Sequence, residues 1–225
     1  MQVSEKSAVI AGKPSSYFSN VRREMLPFVP ADASVILDVG CGEGWFAREL
    51  RLSRGANVWG IEPVAEVAEK ARANLDKVFC GTADSVLPKL PRNHFDCVVF
   101  NDVLEHLVDP WAVLHAAKAV VAPQGTVVAS IPNIRYFRSL YNFVVRKQWH
   151  YEDDGIMDRT HLRFFTRNSI EELFTSSGYR IRIVQGINPT PSWRVAFLNR
   201  LSLGFFADTT YMQFACVAEP ASDCT

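Results

Sequence analysis

The chain has 225 residues, 48% of them hydrophobic and 21% charged, and its 24 Lys and Arg are matched by 24 Asp and Glu. That length suits a single α/β domain with a full core, and the charge balance leaves nucleic acid or an anionic membrane no bulk field to follow. Cys41, Cys80, Cys97, Cys216 and Cys224 are odd in number and lack C-x-x-C spacing, so they read as free thiols packed as small hydrophobes in a reducing compartment. No basic leader with an apolar core opens the chain and no apolar run nears about 18 residues, so the expectation is a cytoplasmic protein without a membrane span.

Residues 1–30 precede the first strand and are read as an N-terminal lid or a helix packed on the sheet. The run Val35 to Val39 then leads through Asp38 into Gly40, Gly42 and Gly44. This pattern is a buried strand breaking into a tight turn, with Glu43 to Arg54 as the next helix. Strand two is Asn57 to Glu62, and Pro63 opens a helix to about Leu75. Lys77 to Gly81 makes a short strand three, and His94 to Asn101 a fully buried strand four. Pro110 to Val121 is an amphipathic helix stopped by Pro123 and Gly125, and Thr126 to Ile131 is strand five. Arg167 to Ser177 is a helix ended by Gly178, followed by strands Tyr179 to Gln185 and Tyr211 to Ala218. Alternating strands and helices predict a parallel sheet with crossover helices.

Asp38 ends a strand where open α/β sheets bind ligands. Gly42-Glu43-Gly44-Trp45-Phe46-Ala47 with Glu62 downstream also satisfies a dinucleotide pattern, but Asp38 and Glu43 would repel a pyrophosphate at the helix N-terminus. A ligand carrying ammonium and sulfonium charges suits this acidic glycine loop. At these residues the chain resembles the class I S-adenosylmethionine-dependent methyltransferases. The resemblance implies a Rossmann-like sheet of seven mostly parallel strands with the last one antiparallel, helices on both faces and a lid insertion after strand five. It implies S-adenosylmethionine as cofactor, held by Asp38, Gly40 and Gly42, with Glu62 on the ribose hydroxyls, Asp84 near the adenine and Asn101 near the amino-acid part. Tyr17, Phe18 and Arg22 match aromatic-plus-arginine entries that fold over the cofactor in that family.

Two segments offer acceptor chemistry. Asp102 to Pro110 resembles the E-H-x-x-D-P stretch of small-molecule methyltransferases, and makes His106 a candidate base. In quinone O-methyltransferases an acid, a Glu and a His here ligate metal, which implies Asp102, Glu105 and His106 as ligands of a divalent ion; the main reading holds no metal. Residues 134–166 form an acceptor-side insertion of interleaved aromatics and arginines, and Asp158 to Thr166 resembles a D-R-T-H-L-R-F-F-T signature of sugar-pathway methyltransferases. His161 is the second candidate base, with Asp158 or Arg159 orienting it. A second insertion, 188–207, places Trp193, Phe197, Leu201 and Phe205 at helical spacing. This stripe reads as a helix packed on the sheet, with dimer contact or membrane-edge docking as alternatives. The expected function is methyl transfer to a hydroxyl of a sugar-like small molecule, without nucleic acid. The alternatives are a metal-using quinone or phenol O-methyltransferase and a non-catalytic protein that binds the cofactor for a partner.

Overall fold

The computed structural model of the chain describes residue 13 and residues 18–221. Strand β1 (Val35–Val39) is buried along nearly its whole length. Helix α1 (Trp45–Arg54) follows, with Phe46, Ala47 and Leu50 inward and Gly55 capping it through a bond to the Arg51 carbonyl. Then come β2 (Asn57–Glu62), α2 (Ala65–Ala71), β3 (Lys77–Cys80), the single turn α3 (Ala83–Val86) and β4 (Phe95–Asn101). Helix α4 (Pro110–Val120) runs into β5 (Val121–Pro132), and a short α5 (Phe137–Leu140) continues as a π-turn over Tyr141–Val145. After the segment that follows, α6 (Arg167–Ser176), β6 (Tyr179–Pro189), α7 (Trp193–Leu201) and β7 (Tyr211–Pro220) complete the order.

The seven strands form one sheet in the order β3-β2-β1-β4-β5-β7-β6. Pairs from β3 through β5 are parallel, and β7 runs antiparallel between β5 and β6. The expected topology, with an antiparallel last strand, is therefore present. Alternation along the strands divides the interior into two cores. Leu37, Val39, Val98 and Phe100 face one with Leu114 and Phe174, while Ile36, Cys97 and Val99 face the other with Met25, Phe46 and Leu50. Each such fully buried side chain contributes about 1.5–3 kcal/mol relative to exposure. Cys41, Cys97 and Cys216 are free and buried, Cys80 is free and exposed, and Cys224 lies outside the described residues.

Three elements differ from expectation. Strand β5 begins at Val121, because Pro123 and Gly125 sit inside an irregular pairing with β4 rather than in a loop. A Cβ at Gly125 would come within 2.8 Å of the Phe95 carbonyl, which explains a glycine in this strand. Helix α2 stops at Ala71, and the Asn74 and Leu75 N–H groups bond back to the Ala71 carbonyl. The 193–205 stripe is not packed on the sheet: Trp193, Phe197, Leu201 and Phe205 are exposed, and Val195 is buried.

Candidate active site

Strand order reverses between β1 and β4, and a cavity of about 660 Å³ opens there at the carboxyl ends of β1, β2 and β4. Asp38, Gly40, Gly42, Glu62, Asp84 and Asn101 all line it, as do Arg22, Asp102 and His106. Tyr17 lies outside the described residues, but its neighbour Phe18 is on the cavity wall.

Two acids dominate the electrostatics. Asp38 is 2% exposed and accepts no side-chain hydrogen bond among the described residues. Burial, with the charge of Glu62 adding to it, pushes its carboxyl up to about 8. Glu62 accepts the Gly42 N–H at 3.1 Å and the Val64 N–H at 3.0 Å. Desolvation still raises it to about 6 against the pull of those two bonds. Two underneutralised carboxylates in a cavity wall attract a cation, since an opposite charge is what restores their ionised form. The side chain of Asn101 adds an unsatisfied amide: neither its oxygen nor its nitrogen has a partner among the described residues. A group with both donors and acceptors, such as the amino-acid end of S-adenosylmethionine, satisfies both needs.

The glycine turn brings bare backbone to this wall. Gly42 has φ +55°, and a Cβ there would sit 2.7 Å from the Phe18 carbonyl oxygen, which itself accepts the Glu43 N–H at 3.0 Å. At Gly40, φ is +73° and a Cβ would meet a Val103 methyl at 2.6 Å. Both positions therefore exclude side chains by conformation and by space.

Opposite the donor loop stands a histidine cluster. His106 Nδ1 lies 3.3 Å from the Thr160 carbonyl and 3.1 Å from Thr160 Oγ1. Thr160 Oγ1 already donates to Asp158 Oδ1 at 2.7 Å, so both Thr160 oxygens face His106 as acceptors. Nδ1 therefore carries the hydrogen, and Nε2 keeps its lone pair. Burial, then the neighbouring His161, lowers the pKa of His106 to about 4 and keeps the ring neutral. His161 shows the same arrangement, with Nδ1 2.9 Å from the Ile156 carbonyl and Nε2 4.0 Å from Glu105 Oε1. Glu105 is 1% exposed, and neither carboxylate oxygen has a partner among the described residues. Burial pushes it up to about 8. The ligand atoms of Glu105, His106 and His161 all lie within 4.8 Å of one another. Burial raises the pKa of Asp158, but Lys13 and the two bonds from Thr160 outweigh it and hold the carboxyl below its ordinary range.

A model of the family described as "Methyltransferase domain" matches residues 14–183. The chain belongs to this methyltransferase-domain family. It is similar to the ubiquinone biosynthesis O-methyltransferase of Chromobacterium violaceum, 27% identical over 184 residues that span 77% of this chain and 78% of the relative. Among solved structures it resembles an S-adenosylmethionine-dependent methyltransferase from Archaeoglobus fulgidus, with TM-score 0.69 and 18% identity over 92% of this chain and 94% of the other. It also shares its fold with the 1,6-didemethyltoxoflavin-N1-methyltransferase of Burkholderia thailandensis, solved with S-adenosylhomocysteine bound, at TM-score 0.63 and 15% identity over 96% of this chain and 85% of the other. The protein is an S-adenosylmethionine-dependent methyltransferase, and its donor is S-adenosylmethionine.

Within this methyltransferase, several expected roles fall differently. Asp102 is not turned toward Glu105 and His106; Arg22 forms an ion pair with it, and Ser130 and Gln213 donate to it at 2.9 and 2.7 Å. Arg22 also donates to Glu24 at 2.7 Å and stands in the cavity wall with these partners. His161 does not line the cavity, and Arg159 orients neither histidine because it pairs with the exposed Asp153 at 2.8 Å. The acid–proline pair of the first motif is a helix start: Asp109 accepts the Ala112 N–H at 2.9 Å, with Pro110 as the first helical residue. Thr166, closing the second motif, caps α6 in a reciprocal pair with Ser169. Sequence reasoning missed Thr160, whose only prior signal was its place between Asp158 and His161.

Proposed function

We propose that this methyltransferase transfers the methyl group of S-adenosylmethionine to a hydroxyl of an aromatic acceptor of the phenol or catechol type, beside a divalent cation held by Glu105, His106 and His161. The observation that carries this reading is Glu105, a buried carboxylate with two unpartnered oxygens facing two histidines whose Nδ1 hydrogens are tied to carbonyl groups. Histidines oriented in this way, with a carboxylate, make a donor set for a divalent ion. Its chemistry would be to lower the pKa of a bound hydroxyl. The names of the relatives, ubiquinone biosynthesis O-methyltransferases, support an acceptor of this class. The residues of this chain do the rest: Asp38, Glu62 and Asn101 fix the donor, and the cavity wall aligns acceptor and sulfonium for in-line displacement. A sugar acceptor loses support because the residues that suggested it are spent on bracing. Asp158 and Thr160 hold His106, and Arg163 bonds the Val108 carbonyl and lies over Trp111.

A second reading is favoured by the chain Asp158–Thr160–His106, in which His106 itself takes the hydroxyl proton. Chelation separates the two. Metal-stripped protein should keep its affinity for S-adenosylhomocysteine, lose methylation of a catechol, and regain it with added divalent ion. Methylation that survives stripping but falls about 10²–10⁴-fold in His106→Gln would instead make His106 the base.

A further inference from the structure

Lys13 reaches the histidine cluster from 145 positions away in the chain. Its ammonium donates to Asp158 Oδ2 and to the Asp153 carbonyl, both at 2.5 Å, and so bridges the two ends of the 153–158 turn. The ion pair is buried, with 9% of the Lys13 side chain and 2% of the Asp158 side chain exposed. Neither charge could leave water at tolerable cost without the other.

Asp158 divides its oxygens between two tasks. Oδ2 takes Lys13, while Oδ1 accepts the Thr160 N–H at 2.8 Å and the Thr160 hydroxyl at 2.7 Å. That hydroxyl bond sets the direction of the next one. A hydroxyl has one hydrogen. Thr160 gives it to Asp158, so at 3.1 Å its oxygen can only accept from His106 Nδ1. The Thr160 carbonyl, 3.3 Å from the same nitrogen, is an acceptor too. The hydrogen of the neutral ring is thereby held on Nδ1 and the lone pair on Nε2, the atom required whether His106 binds a cation or takes a proton.

Lys13 keeps Oδ1 in that position. Without its ammonium, Asp158 would be a buried carboxylate that has lost its counter-charge, and it would turn toward water. The Thr160 hydroxyl would then be released to rotate, donate to Nδ1 and send the ring hydrogen to Nε2. We infer that Lys13 is a positioning residue for methyl transfer: through Asp158 and the Thr160 hydroxyl it fixes the His106 tautomer that presents an Nε2 lone pair to the acceptor site. The inference rests on His106 acting at the acceptor, as both readings above have it, and not on which of them holds.

The test reads that tautomer by long-range proton–nitrogen NMR of protein with nitrogen-labelled histidine, without metal or acceptor, at a pH where imidazole is neutral. The variant His106→Gln assigns the signals. Wild type should show His106 as the Nδ1–H form. Lys13→Met keeps the length of the side chain without its charge. It should move the ratio of the two forms about fivefold toward Nε2–H, the effect of one weakened hydrogen bond, while thermal unfolding and S-adenosylhomocysteine binding stay as in wild type. Lys13→Arg, which keeps the charge, should keep the wild-type ratio. In a Thr160→Val background no hydroxyl is left to turn, so adding Lys13→Met should leave the ratio unchanged. An unaltered ratio in Lys13→Met alone, or an equal shift in the Thr160→Val background, would overturn the inference. A predominant Nε2–H form in wild type would overturn it without any variant. A failed acceptor or metal assignment would show in turnover and chelation and not in this ratio.

Discussion

Replacing Asp38 by Asn tests the electrostatic logic of the donor site in one experiment. In the ligand-free fold Asp38 titrates near 8, against an ordinary value of 3.8. Between those values the unfolded chain has released a proton that the folded chain keeps, so stability falls as pH rises. Integrated from pH 6 to pH 8 with these two values, the loss assigned to Asp38 is about 2 kcal/mol. Glu105, raised to about 8, contributes with the same sign in this window, and His106, lowered to about 4, with the opposite sign below its ordinary value. Both contributions are common to wild type and Asp38→Asn and cancel in the difference. The stability gap between the two ligand-free proteins should therefore widen in favour of the variant by about 2 kcal/mol over that range, or about 4–8 °C in Tm for a chain of this size. Saturating S-adenosylhomocysteine supplies an ammonium to Asp38, restores its charged form and should flatten the wild-type profile. The same ligand should bind the variant about 10- to 100-fold more weakly, the loss of one charged hydrogen bond. Differential scanning fluorimetry across pH, with and without ligand, reads all of these. A gap that stays constant from pH 6 to 8, together with unchanged ligand stabilisation, would refute the reasoning.

Gly42→Ala should lower Tm and abolish stabilisation by S-adenosylhomocysteine, because φ is +55° and the new methyl would press on the Phe18 carbonyl at 2.7 Å. Gly55→Ala is its control: φ is +67° but the space is open, so it should cost only about 1 kcal/mol of backbone strain and leave ligand binding intact. A double-mutant cycle of Arg22→Met and Asp102→Asn, read by urea unfolding, should give a coupling of about 1–3 kcal/mol for their ion pair; a coupling near zero would return Asp102 to the pool of free acids. Thr160→Val should shift the pH profile of turnover while leaving donor affinity unchanged, since Thr160 bonds His106 and Asp158 and does not line the donor cavity; an unchanged profile would make Thr160 a loop residue.

Much of this was legible because it is local. Strand β2 runs over the residues that its apolar pattern predicted, Asn57 to Glu62, and the placement of Asp38, Gly40, Gly42 and Glu62 on one cavity follows from a strand, a turn and the next strand in sequence. What depends on distant partners was not legible. Asp102 looked equivalent to Glu105 along the chain, yet Arg22, eighty positions upstream, takes its carboxylate. His161 meets Glu105 only because the Leu162 and Arg163 N–H groups bond the Glu105 carbonyl at 2.8 and 3.1 Å and pin the 158–163 turn there. Helical spacing from Trp193 to Phe205 promised a packed face, but periodicity says which residues share a side and not what that side meets.

The most direct measurement follows one methyl group. Metal-replete protein is incubated with S-adenosylmethionine carrying a labelled methyl and with a panel of catechols, phenols and glycosides, and the products are resolved by mass spectrometry. The account predicts label on a catechol or phenol oxygen, one S-adenosylhomocysteine formed for each methyl transferred, and loss of both in Glu105→Gln with donor binding retained. Label on a sugar hydroxyl, on nitrogen or on carbon, or full activity in Glu105→Gln, would contradict it.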